Sequence, residues 1–380
     1  MAGDPRDGDL VAALGAALAY ERGTGERVHR PVDGLDLFRR ARRHGVLPVL
    51  TANVEALRLE RPAVSALLQA SLQHRRRLDA MLADLAEVLD ALDSTGVRVL
   101  VLKGVPLAVR SGGSPSSRAV GDIDLLIADS DLPVVHDLLC ERGWRRKTSR
   151  VSGLDGPYRR WARIIDHHEV FVGDDRSMVE VHWRLNQTLS TRSAFEDLLA
   201  RAEVVDVNGS AVPVLGAVDD MALVATHASR HVFTHLKWAV DVARSWCLLS
   251  PDQRLESLEV AEAWSSGRAH RMALGVVDRL GLLDDAPTAQ EAARSMVDSD
   301  TARLVELAIE HPEQHRRAKW HRLRVRAALQ ETWPDRGRLL GEILLPTDVL
   351  ADPRVPAGWS LLAAPLRPLW RWRSPTGHRP

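Results

Sequence analysis

At 380 residues, with 45% hydrophobic and 27% charged side chains, the chain has an ordinary soluble globular composition and length enough for two or three folded units. Lys plus Arg and Asp plus Glu both number 51, and the resulting formal charge of zero argues against a nucleic-acid binder working by bulk positive charge. Two cysteines, Cys140 and Cys247, without a CxxC pair exclude a disulfide scaffold and predict buried thiols in a reducing cytoplasm. The first twenty residues lack the basic start of a signal peptide, and no apolar run reaches the roughly 18 residues of a membrane span.

In chain order, the predicted elements are helical up to residue 95. Leu10–Tyr20 is rich in Ala and Leu, and Leu35–Val54 continues the pattern with interruptions near Gly45 and Pro48. A long helix is predicted from about Pro62 to Leu92, because Leu78, Leu82, Leu85, Leu89 and Leu92 step by 4, 3, 4 and 3 into one stripe. Inside it, Gln73-His74-Arg75-Arg76-Arg77 reads as a solvated basic face, with a phosphate-contacting face as the sharper alternative. At Ser94-Thr95-Gly96 the pattern turns to β: Val97–Leu102 is a strand, Pro106–Arg110 a short helix, Ser111–Ser117 a small-residue loop and Asp122–Ile127 a second strand. Leu132–Arg142 reads as a helix capped at Asp129 or Ser130 and stopped by Gly143.

Two hairpins follow, Ile164–Val172 with Met178–Trp183, and Val204–Val214 around Asn208-Gly209. From Ala217 the chain is predicted helical again, capped at Asp219 or Asp220, with a long segment Ala225–Leu248 and further helices over 254–265, 269–282, 288–296 and 302–310. Eight of the 20 prolines fall in residues 331–380, together with Trp333, Trp359, Trp370 and Trp372. That stretch is expected to be an irregular tail packing back through its aromatics, with Pro365–Trp372 as a weak amphipathic alternative.

The chemistry concentrates in VLVLKGVPLAVRSGGSPSSRAVGDIDLLI, Val99 to Ile127. Asp122 and Asp124 are two apart on a strand, so both project from one face, and paired carboxylates repel unless a cation lies between them. Glu180 and His182 share a face of the Met178–Trp183 strand, with Val179, Val181 and Trp183 on the other, core-directed face. Three carboxylates are hard ligands for Mg²⁺ or Mn²⁺, which share phosphate oxygens with a nucleotide and serve in-line displacement at phosphorus. Asp-x-Asp alone is a weak signal, common on exposed strands.

Taken together, Leu102-Lys103-Gly104, Arg118, Asp122-Ile123-Asp124-Leu125-Leu126 and Glu180-Val181-His182-Trp183 resemble the DNA-polymerase-β-like nucleotidyltransferase superfamily. More narrowly, they are similar to a bacterial family of uncharacterised nucleotidyltransferases, and Leu236-Lys237-Trp238-Ala239-Val240-Asp241 resembles a further segment of it. The resemblance covers roughly residues 35–250. It implies an α+β protein: a nucleotidyltransferase core of mixed sheet and flanking helices at 96–215, between helical regions at 1–95 and 216–330, with the tail at 331–380. It implies transfer of a nucleoside monophosphate, most simply AMP, from a magnesium-bound nucleoside triphosphate. Asp122 and Asp124 match the paired metal ligands, and Glu180 matches the third carboxylate, which binds the metal or serves as base. Gly104 matches the corner glycine.

The corner itself departs from the family pattern, having Lys103-Gly104-Val105 where Gly-Ser or Gly-Gly is usual. Gly112-Gly113-Ser114 lies too close to Asp122 to replace it and is expected to be loop. Lys103 or Arg118 is therefore expected to steady the triphosphate, Lys as a point charge and Arg as a fork, unless Arg118 is held in an ion pair. His182 is a candidate base or a hydrogen-bonding support, and His168 is favoured over His167 to face Glu180.

His227, His231 and His235 step by four, predicting one face of a single helix, which lines the core or cleft rather than binding zinc since no third ligand or HExxH is in place. Asp241 is expected to anchor this helix through Arg or Lys. The acceptor is expected to be a hydroxyl or phosphate of a small molecule such as a natural product, of a peptide or of a protein, with no nucleic acid partner and no membrane span. The rival class is a catalytically weak nucleotide-binding or toxin–antitoxin-like interaction protein.

Overall fold

Short β-branched and leucine-rich runs, the central two buried almost throughout, assemble one seven-stranded mixed sheet of order β3-β4-β5-β2-β1-β7-β6. The strands are β1 (Val99–Leu102), β2 (Asp122–Ile127), β3 (Arg145–Arg146), β4 (His168–Val172), β5 (Met178–His182), β6 (Glu203–Val207) and β7 (Ser210–Val214). The computed structural model describes residues 7–24, 34–57, 59–147, 163–185, 195–283, 299–310, 314–315 and 318–344. β1 runs antiparallel to β2 with Leu102 opposite Asp124. β2 is parallel to β5, with Asp124 opposite Glu180. β4 returns antiparallel beside β5, placing His168 opposite His182.

Because side chains alternate across a strand, this register divides the sheet into an oily face and a working face. Val99, Val101, Ile123, Leu125, Ile127, Phe171, Val179 and Val181 are buried against the leucine stripe of the long helix Arg61–Thr95 and against Val135 and Leu139 of the helix Leu132–Glu141. Each such side chain, once buried, contributes roughly 1.5–3 kcal/mol. On the opposite face Leu100, Leu102 and Leu126 pack on Leu198, Leu223 and Trp264. The rest of that face carries the acids and histidines.

The long helix stops at Gly96, whose φ of 74° places it in the left-handed region as a helix-ending glycine. Arg75, Arg76 and Arg77 are exposed, as a solvated basic face requires. The β6–β7 hairpin turns on Asn208 (φ 54°) and Gly209 (φ 89°), the primed-turn signature expected of Asn-Gly. Gly112-Gly113-Ser114 closes the helix Gly104–Gly112 and leads into a short 3-10 turn, so it is a connection and not a phosphate cradle by strand-helix geometry.

Several expectations are corrected. The predicted helix Ala225–Leu248 is two helices, Ala217–Arg230 and Leu236–Leu248. Between them Val232 (φ 48°) and Phe233 (φ 50°) adopt left-handed backbone, and both side chains are fully buried. Burial of these two groups, with Phe233 N–H donating to the Ala228 carbonyl, overrides their backbone preference. His227, His231 and His235 therefore do not share one straight helix. β4 begins only at His168, because Arg163–Ile165 forms a helical turn whose end carbonyls accept hydrogen bonds from Arg184. Trp183 lies past the end of β5, so alternation no longer aims it inward; it is half-buried, with Arg163 over its ring. Cys140 is exposed and Cys247 half-buried, since the helix Leu132–Glu141 turns Val135, Leu138 and Leu139 inward instead. Neither Asp129 nor Ser130 caps that helix; a 3-10 turn precedes it.

The stretch after residue 330 is also helical over Trp333–Leu344, and Trp333 is 80% exposed, not packed back. The expected helix over 288–296 and the segment Pro365–Trp372 lie outside the described residues. The first helices and the last share one core: Leu10, Leu14, Leu18, Leu37 and Leu50 pack with Val224, Leu236, Val240, Trp246, Met272 and Val276. Among the described residues no helix is long and apolar enough to cross a membrane.

Candidate active site

At the end of β1 the chain must turn sharply from strand into helix. It does so with two successive positive φ angles, 43° at Lys103 and 41° at Gly104. Glycine accepts this backbone without strain; lysine does not. A Cβ at Gly104 would meet Val120 and the Asp122 carbonyl only at 3.5 and 3.6 Å, so the glycine is required for conformation more than for space. The turn brings Lys103 Nζ to 3.3 Å from Asp124 Oδ1.

The parallel pairing of β2 and β5 sets Asp124 directly beside Glu180 on the working face. His182, two residues along β5, donates from Nε2 to Asp124 Oδ1 at 3.0 Å and lies 3.6 Å from Glu180 Oε2. From β4, His168 Nε2 lies 3.7 Å from the same Glu180 oxygen. His168 is thus the histidine of the pair that faces Glu180, while His167 packs its ring 5.3 Å from that of His182.

The electrostatics follow from burial and pairing. Burial alone would raise the Asp124 carboxyl, yet Lys103 and His182 together hold it well below the usual carboxylate range. Burial likewise opposes charge on His182, but its bonds to Asp124 and Glu180 raise it above an ordinary histidine. Glu180 is lowered against its own burial, chiefly by His182. His168 is pushed down to about 4, first by burial and then by the charge of His182. Asp122 is different: it makes no hydrogen bond or ion pair among the described residues, and burial followed by repulsion from Asp124 and Glu180 raises it to about 6.

Ligand atoms of Asp124, Glu180 and His182 all lie within 4.8 Å of one another, and those of His167, His168 and His182 form a second such group. A buried and a half-buried carboxylate side by side, with a lysine and an imidazole against them, form a group that could hold a metal ion. Asp122 stands at the open edge of this group.

The profile of a family described as "Uncharacterised nucleotidyltransferase" matches residues 30–281, well over half of the chain and the whole of this site. The chain belongs to that family. As a nucleotidyltransferase it moves a nucleoside monophosphate from a nucleoside triphosphate to an acceptor. Two solved structures are similar over part of the fold. The antibiotic-resistance factor ANT(2'')-Ia is 13% identical, with 48% of this chain and 90% of that chain covered at a TM-score of 0.35. An antigenic nucleotidyltransferase-like protein from Paracoccidioides brasiliensis is 14% identical, with 57% and 93% covered at 0.31. No curated protein matches the chain.

Around the acidic cluster, the nucleotidyltransferase uses residues in ways the sequence only partly indicated. Arg118 donates from Nε and Nη2 to the two oxygens of Asp241, both at 2.8 Å, and the pair is buried. Its fork is thus engaged in the anchor expected of Asp241, and its carbonyl accepts from His74 Nε2 at 3.0 Å. Lys237, one helical turn before Asp241, was not singled out. Burial and Arg118 lower its ammonium, while Asp241, Asp122 and Asp124 oppose that shift. The signal was its i, i+4 spacing from Asp241. The histidines around the helix break gather on an indole: His227, His231 and His235 have ring centroids 5.6, 4.6 and 5.2 Å from that of Trp238.

Proposed function

We propose that this nucleotidyltransferase transfers AMP from ATP, in a divalent-metal-dependent reaction, to a hydroxyl or phosphate of a small molecule, peptide or protein. The observation that carries the reading is the Asp124–Glu180 pair on adjacent parallel strands, with Lys103 and His182 turned onto it. Asp124, Glu180 and, from the open edge, Asp122 would hold Mg²⁺ or Mn²⁺. Such an ion supplies charge neutralisation at the phosphates and a more acidic acceptor hydroxyl. Lys103 and Lys237 bring positive charge to the phosphates. His182 fixes the rotamers of both carboxylates through one nitrogen, a positioning role. The acceptor oxygen forms its bond to the α-phosphorus, the bond to the β-phosphate bridging oxygen breaks, and pyrophosphate leaves. The acceptor proton passes to Glu180, whose Oε2 lies 3.7 Å from the neutral His168, and from there to solvent.

The test is Asp124→Asn in the full chain, with labelled nucleoside triphosphates, Mg²⁺ and host extract, followed by mass spectrometry of what acquires the nucleotide. The variant should melt cooperatively and lose at least about 100-fold in turnover, the scale of losing a group that stabilises transition-state charge. Undiminished turnover would sink the assignment, and a preference for another triphosphate would replace AMP.

One observation favours a second reading, a catalytically weak nucleotide-binding interaction protein: Lys103 already sits on a ligand oxygen of Asp124. Calorimetry with ATP with and without Mg²⁺ separates the two, since the weak-binder reading predicts affinity that ignores the metal.

A further inference from the structure

A cavity of about 470 Å³, within the roughly 300–1,000 Å³ range of small-molecule sites, lies beside the break between the helices Ala217–Arg230 and Leu236–Leu248. Arg230, His231 and Thr234 form one side, and Lys319, Arg322 and Arg326 of the helix Lys319–Ala328 form the other. Four of its lining residues are cationic and one, Glu342, is acidic. That carboxylate is already engaged, accepting from Arg326 at 2.9 Å and from Arg338 at 3.2 Å. Arg230 has no hydrogen bond or ion pair among the described residues. Burial and the neighbouring Arg326 and Arg338 push its guanidinium down to about 9. His231 adds no charge, being lowered to about 3 by burial and by Arg230. A half-buried, unpaired guanidinium facing two more arginines and a lysine is a poor device for stability and a good one for gripping an anion.

We propose that this cavity binds a multiply charged phosphate group, with Arg230 as its central ligand and Lys319, Arg322 and Arg326 around it. His231, one of its walls, feels the charge of Lys103, and His167, in ring contact with His182, feels Arg230 more than any other charge. The anion chemistry stands by itself. Its source rests on the nucleotidyl-transfer reading, which provides two: the outer phosphates of the triphosphate, or a phosphate carried by the acceptor.

The experiment is calorimetry of the full chain with inorganic pyrophosphate in metal-free buffer, then with ATP and Mg²⁺, for wild type, Arg230→Met and the double variant Lys319→Gln/Arg322→Gln. Wild type should bind pyrophosphate, and Arg230→Met should weaken it at least about tenfold, as expected for a lost charged hydrogen bond. Arg230→Met should also melt higher than wild type without anion and lose the anion-induced rise in melting temperature. The double variant, on the other wall, should weaken pyrophosphate as well, which keeps the test sound if Arg230→Met folds poorly. Equal pyrophosphate affinity in wild type and both variants, or none in wild type, overturns the proposal. If Arg230→Met weakens ATP by the same factor as pyrophosphate, the site serves the triphosphate; if ATP affinity is unchanged, it serves an acceptor phosphate. Asp124→Asn should retain pyrophosphate binding here, so a fully active Asp124→Asn would remove the proposed reaction and leave the cavity result standing.

Discussion

Lys103 is a lysine in backbone that suits glycine, with φ 43° and ψ −129° at the strand-to-helix corner. Left-handed backbone costs a non-glycine residue about 1–2 kcal/mol, and a residue is kept in such a place when its side chain is needed there. The need is visible in the 3.3 Å contact with Asp124, a buried carboxylate that would otherwise share the site with Glu180 under strong repulsion. Strain and charge can be separated by two variants. Lys103→Met removes the charge and keeps the strain, whereas Lys103→Gly removes both. Urea unfolding should therefore find Lys103→Gly more stable than Lys103→Met by about 1 kcal/mol, and both should bind ATP with Mg²⁺ more weakly than wild type. Equal stability of the two variants would show that the corner carries no strain. The lysine was legible in the sequence as an oddity, because a corner that ordinarily holds small residues held Lys-Gly. Its contact with Asp124 was not, since it takes the antiparallel register of β1 on β2, with Leu102 opposite Asp124, to bring the following turn beside that carboxylate.

At the scale of elements, the helix Leu236–Leu248 is a strut tied at two points along one face. Asp241 holds Arg118, and Arg244 donates to the Ser117 carbonyl at 3.1 Å and to Glu21 at 2.9 Å, while Lys237 on the same face feels the charge of Asp122 and Asp124. Residues 237, 241 and 244 follow the i, i+4, i+7 spacing of one face. The loop before β2 is thereby fixed from behind, which holds Asp122 and Asp124 in place. Arg118→Met should cost about 3–5 kcal/mol, because it strands Asp241 as a buried unpaired carboxylate. The double variant Arg118→Met/Asp241→Leu should recover most of that loss, giving a large non-additivity in urea unfolding. Additive losses would show that the two side chains do not act as a pair. Strands and hairpins were legible from alternation and from Asn208-Gly209. The start of this strut was not, because the helical pattern runs on unbroken through residues 231–235. Burial of Val232 and Phe233 decides the break, and burial by distant helices leaves no local mark.

At the scale of the whole molecule, the helices before residue 57 and those after residue 217 close into a single apolar core, an arrangement that a linear reading divides into separate regions. Sequence periodicity shows that a helix has an oily face and not which partner covers it. Two histidines sit in this shared core and make its stability depend on pH. His270 is fully buried, has no hydrogen-bond partner on either ring nitrogen among the described residues, and is lowered to about 3, mainly by burial. His44 is nearly as buried and is lowered to about 4, by burial and then by Arg43; its Nδ1 accepts from the Leu236 N–H at 3.4 Å, across the junction of first and last helices. In the unfolded chain both return to a pKa of about 6.5. Between that value and their folded values, the unfolded state binds more protons than the native one, so stability rises with pH across the window. It is fully present above about pH 6.5 and falls as the solution is acidified, with each buried histidine adding up to about 1.4 kcal/mol per pH unit to the slope. Urea unfolding at pH 7, 6 and 5 should show that decline. His270→Leu, similar in volume and unable to titrate, should remove about one proton from it and leave the stability at pH 7 equal or higher, since the replaced ring has both nitrogens unsatisfied. A slope in His270→Leu identical to wild type would mean that His270 takes up its proton as readily in the folded protein as in the unfolded chain, and that the core it occupies admits water.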